Sequence, residues 1–78
     1  MTRGEFVEKA TMLGIDPTAY DLDGRPSESY VLANEGAEYK VFYSERGLET
    51  GKELFPDESA ALQRLLDLLV QDSSALIR

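Results

Sequence analysis

An α+β fold is expected from three features of the sequence. Near the end, Leu62, Leu65, Leu66 and Leu69 recur at i, i+3, i+4 and i+7, the stripe of an amphipathic helix. Before it, Tyr39, Val41 and Tyr43 alternate with Lys40, Phe42 and Ser44, the period of a strand. At the start, Phe6, Ala10 and Leu13 fall at helical spacing. The predicted order is an N-terminal helix, a three-stranded antiparallel meander and a C-terminal helix, with both helices on one sheet face. Residues 1–78 are read as a single α-βββ-α domain.

The first helix is predicted over residues 3–13. Glu5 and Glu8 lie early and Lys9 later, which suits the helix dipole. Gly14 is a natural stop, and Ile15 can fold back onto the last turn. Asp16-Pro17 then reads as the cap and first position of one short turn, because the missing proline N–H costs nothing there. Residues 21–28, DLDGRPSE, hold turn formers throughout and are expected to be a loop.

The first strand is placed at Tyr30–Asn34, followed by a turn over residues 34–37 in which Gly36 can take positive φ. The second strand runs from Glu38 to Ser44. Ser44-Glu45-Arg46-Gly47 reads as a four-residue hairpin loop closed by glycine. Leu48–Phe55 is the third strand, interrupted by Gly51 and so placed at an edge. The last helix spans residues 57–71, with Asp57 as its cap. Short connections favour the meander, with one face under the helices and the other partly wet.

Composition narrows the function classes. The chain has 78 residues, no cysteine and no histidine. Disulfide and thiolate chemistry are therefore absent, along with the commonest general base and metal ligand. The opening MTRGEFVEKA has no long apolar stretch after its basic residue and does not read as a secretory signal. The apolar run near LLDLLV is far short of a membrane span. A soluble, cytoplasmic protein is expected.

Net charge is −7. Asp16, Asp21, Asp23, Glu28, Glu35 and Glu38 face only Arg25 within their segment. Such a surface repels phosphate backbones, so nucleic-acid binding is disfavoured. It can attract a basic protein, or serve solubility alone.

Three stretches invite a functional reading. YSERG, residues 43–47, offers hydroxyls, a carboxylate and a guanidinium, yet turn chemistry accounts for each residue equally well. Adjacent Ser44 and Glu45 point to opposite strand faces and do not form a nucleophile–base pair. DLDGRPSE is faintly like a calcium loop but lacks the third ligand and the distal glutamate, so no metal is expected. Tyr39, Val41 and Tyr43 lie on one sheet face and Phe42 on the other, so one of these sets is left outward as a possible protein-binding patch. No spacing singles out an acid and a base, and the chain is read as non-enzymatic, without cofactor.

Tyr20-x-Leu22-x-Gly24, Tyr30-Val31-Leu32, Glu35-Gly36, Val41 to Gly47, Phe55 and Glu58 together resemble a group of small acidic bacterial proteins, chiefly actinobacterial. Those proteins are encoded beside secreted polymorphic toxins and look like immunity proteins. The similarity covers most of residues 6–70, and YSERG with the strand before it is its most specific part. This chain has Tyr39 where the group often has tryptophan. It has Ala61 and Leu62 where a cysteine often stands, and its tail differs. The resemblance implies no catalytic residues. It implies a protein-binding module that inhibits a toxin by masking its active surface.

On that reading Tyr39, Tyr43, Glu45 and Arg46 are the expected contacts, and the acidic loop with Asp21 and Asp23 steers a basic toxin domain toward them. The alternative is a self-associating structural or regulatory domain. Its homodimer seam would be the leucine helix and the apolar Leu76-Ile77 of the tail.

Overall fold

A computed structural model describes residues 1–25 and 28–72. The order is α1 (Arg3–Met12), a 3-10 turn (Pro17–Ala19), β1 (Tyr20–Asp21), β2 (Ser29–Glu35), β3 (Glu38–Glu45), β4 (Leu48–Phe55) and α2 (Glu58–Gln71). The protein is α+β, with an N-terminal helix, a mixed sheet and a C-terminal helix. Pro26, Ser27 and the tail with Leu76 and Ile77 lie outside the described residues.

The helix ends follow their local chemistry. Thr2 and Glu5 form a capping box on α1: Glu5 N–H donates to Thr2 Oγ1 (3.2 Å), and Thr2 N–H donates to Glu5 Oε1 (3.1 Å). At the other end Gly14 takes φ 75. Ile15 N–H then donates to Ala10 O (2.9 Å) and Gly14 N–H to Thr11 O (3.1 Å), the paired bonds of a Schellman stop. That stop turns Ile15 into the core. Asp16 caps the 3-10 turn by accepting from Thr18 N–H (2.9 Å), and Asp57 caps α2 by accepting from Ala60 N–H (2.8 Å).

The sheet has four strands in the order β1-β2-β3-β4, not three. β2, β3 and β4 are the predicted antiparallel meander. β1 is an addition of two residues running parallel to β2, with Tyr20 opposite Tyr30 and Asp21 opposite Val31. This strand falls at the start of the segment expected to be loop. It is held by tertiary contacts, among them an edge-to-face contact between the Tyr20 and Phe6 rings at 5.0 Å.

Both hairpin turns have two residues. Gly36 takes φ 64 at the first, and Arg46 (φ 51) and Gly47 (φ 80) form the second. Two successive positive φ values are the geometry of a type I′ turn, whose twist suits a tight hairpin. The second loop is thus Arg46-Gly47 alone, because Ser44 and Glu45 remain paired in β3 with Glu49 and Leu48. β4 is an edge strand as expected. Between the Val41–Glu53 and Tyr43–Thr50 pairs its register slips by one residue, and Gly51 sits there at φ 66. The glycine supports a bulge that bends the exposed edge.

Both helices contribute to one core on the Leu32/Val41 face of the sheet. Phe6, Ala10 and Ile15 meet Leu32, Val41, Ala61, Leu62, Leu65, Leu66 and Leu69 there. Arg64 on α2 ties to Glu53 on β4 at 2.8 Å. The opposite face is drier than expected. Val31, Ala33 and Phe42 form a second buried cluster on it. Gly24 lies so close to Ala33 that a Cβ on it would come within 3.1 Å of the Ala33 Cβ. Lys40 lies over the Phe42 ring with Nζ 5.2 Å from its centre and donates to Glu49 Oε2 at 2.9 Å. The ammonium thus stands over the ring face as a cation–π contact while it pairs with Glu49.

Candidate functional site

Strand direction decides which side chains share an end of the sheet. β2 starts, β3 ends and β1 starts at the same end, where the chain enters β1 from the 3-10 turn and leaves α2 at Asp72. These segments enclose a cleft of about 170 Å³ lined by Asp16, Thr18, Ala19, Glu28, Ser29, Tyr30, Tyr43 and Asp72. Three carboxylates and two tyrosines line it, and among the described residues no base does.

The two tyrosines are a cross-strand pair. Tyr30 and Tyr43 stand opposite each other, with ring centres 4.9 Å apart in an edge-to-face arrangement. Tyr30 Oη donates to Asp72 Oδ2 at 2.9 Å, tying the sheet to the residue that caps α2. Burial, that hydrogen bond and the charge of Asp72 together push the Tyr30 phenol up to about 12. It is a neutral donor across the physiological range. Asp16 spends one carboxylate oxygen on Thr18, receiving both its N–H and its hydroxyl, and its carboxyl lies below the usual range as a result. Glu28 Oε1 accepts from Arg46 N–H at 3.1 Å, which fastens the hairpin tip beside the cleft.

The residues singled out from sequence fall into two groups. Tyr43, Glu45 and Arg46 share the cleft end, with Tyr43 in the lining and Glu45 and Arg46 exposed at the hairpin tip. Tyr39 lies at the opposite end of β3, about 13 Å away at the rise of a strand. There it joins Arg3, Leu22, Asp23, Leu32, Asn34 and Glu58 around a second hollow of about 250 Å³. Arg3 closes on Asp23 at 2.9 Å.

Asp21 has a different environment. Its carboxylate receives the Arg25 N–H (2.7 Å), the Arg25 guanidinium (3.0 Å) and the Asp23 N–H (3.3 Å). Burial is the largest influence on Asp21 and acts upward, but these hydrogen bonds and the Arg25 charge outweigh it and hold the carboxyl low. Asp21 therefore organises the turn that carries Gly24 over Ala33.

Sequence reasoning did not assemble Asp16, Glu28, Tyr30 and Asp72 with Tyr43. Asp16 was legible as a cap and Glu28 as loop acid, but Tyr30 and Asp72 are far apart in sequence and meet only through the packing of α2 on the sheet. The cleft offers half-buried aromatic surface, one locked phenol donor and acceptor oxygens. It suits a cationic or hydrogen-bond-donating group. Among the described residues no group of carboxylates converges to hold a metal ion. No described helix is long and apolar enough to cross a membrane. No known protein family, curated protein or solved structure matches the chain.

Proposed function

We propose that the protein is a non-catalytic binding module of the immunity type, which inhibits a basic toxin partner by masking its active surface. The observation that carries this reading is the lining of the cleft. Asp16, Glu28 and Asp72 stand with Tyr30 and Tyr43 at one end of the sheet, without a base among them. A basic side chain entering there gains charge-assisted hydrogen bonds and a tyrosine face while the acidic surface speeds its approach. Tyr43 is the central contact, with Glu45 and Arg46 at the rim. The cytoplasm of the toxin-producing cell is the compartment this role requires.

The test is capture with the wild-type chain from the producing cells, followed by an activity assay of the captured protein. The reading expects one stoichiometric basic protein whose toxic activity is silenced at equal molar ratio. Capture of nothing but the chain itself would contradict it.

A further inference from the structure

We infer that Arg46 is the residue that orients the partner, by taking a carboxylate of that partner in its guanidinium fork. The inference rests on the binding role proposed above and names a specificity determinant within it.

Three observations carry it. First, Arg46 is the only non-glycine among the described residues with positive φ. A type I′ turn favours asparagine or glycine at that position, because a side-chain Cβ crowds the backbone there. An arginine stands here against the local preference, and a turn that served only the hairpin has no use for it. Secondly, Arg3, Arg25 and Arg64 each hold a carboxylate, while the Arg46 guanidinium alone among the described arginines has neither ion pair nor hydrogen bond. In a chain with 15 acidic residues an unpaired arginine is out of keeping with its surroundings. Thirdly, its backbone is fixed. Glu28 holds the Arg46 N–H from the cleft rim, so the side chain leaves the surface from a rigid root. Leu48, 69% exposed, stands beside it as apolar contact area.

A planar fork of donors matches a carboxylate in two parallel hydrogen bonds, which fixes angle as well as distance. An acidic cleft attracts any basic surface. A cation at its rim rejects those that do not place an acid opposite, so it sets register and choice of partner more than encounter rate.

The test compares Arg46→Gly and Arg46→Lys with the wild type, by thermal unfolding and by calorimetric titration against the basic protein that the wild-type chain captures and silences. Arg46→Gly is expected to melt higher, because the turn is relaxed, and to bind at least about tenfold more weakly, the scale of an interface hot spot. Arg46→Lys keeps the charge but not the fork, and is expected to recover only part of the loss. Wild-type affinity in Arg46→Gly overturns the inference and leaves the binding role standing. A lower melting temperature in Arg46→Gly overturns it as well, since the arginine would then be structural. If the wild-type chain captures no basic protein, the binding role itself fails and the inference with it.

Discussion

The hydroxyl of Tyr30 donates to Asp72 Oδ2 at 2.9 Å, joining β2 to the residue that ends α2 across 42 positions of sequence. This bond closes one wall of the cleft and, after burial, is the next largest influence pushing the Tyr30 phenol up to about 12. The folded state holds that proton more tightly than the unfolded chain, whose tyrosine titrates at about 10. The stabilisation is therefore complete below about pH 10 and is lost as pH rises from about 10 towards 12. Tyr30→Phe is expected to cost about 1 kcal/mol at neutral pH and to flatten the alkaline decline between those limits. Urea unfolding at a series of pH values reads both effects.

At the acid end Asp21 behaves oppositely. Its carboxyl is held low, so its stabilisation is present above the ordinary carboxylate value and is lost as pH falls through the folded one. Asp21→Asn removes hydrogen bonds to a charged group and is expected to cost about 2 kcal/mol at pH 7. The variant should also show a weaker dependence of stability on pH below about pH 4. An unchanged acid limb would mean that Arg25 is held by something other than Asp21.

Gly24 is the point at which the loop closes over the second buried cluster. It has φ 74, and a Cβ there would stand 3.1 Å from the Ala33 Cβ, tighter than ordinary contact. Gly24→Ala should destabilise by about 1–3 kcal/mol through strain and crowding, whereas Gly36→Ala, with open space around it, should lose only the turn preference. Comparison of the two melting temperatures separates crowding from φ alone.

Leu65 is fully buried between α2 and the sheet, and truncation leaves a cavity. Leu65→Ala is expected to cost about 2–5 kcal/mol. That is a large share of the stability of a chain this size, and circular dichroism should show a substantially unfolded population. Leu48→Ala, at the exposed hairpin, should unfold as the wild type does.

The parts of the fold set by local chemistry were legible in the sequence. The leucine stripe of α2, the Asp16 and Asp57 caps, the Gly14 stop with its buried Ile15 and the β2–β3–β4 meander follow from spacing and from single residues. β1 was not legible, because two residues paired in parallel depend on where Phe6 and β2 place Tyr20. The second turn was read two residues too long because arginine rarely takes positive φ: Ser44 was rightly placed in the strand, but it and Glu45 were also given to the loop. Strand parity correctly put Tyr39 and Tyr43 on one face. Parity says nothing of distance along the strand, and the two lie at opposite ends in separate hollows. The dry second face was missed because it involves a loop residue and a charged one: Gly24 packs against Ala33, and the Lys40 ammonium stands over Phe42.

The central claim is that the cleft end of the sheet binds and masks a basic partner. The most direct measurement is titration of the captured basic protein with the wild-type chain and with Tyr43→Ala, checking each for intact fold and reading the partner's residual activity. The account predicts complete inhibition by the wild type at equal molar ratio, and at least about tenfold weaker inhibition by a folded Tyr43→Ala. Equal inhibition by both chains would contradict it.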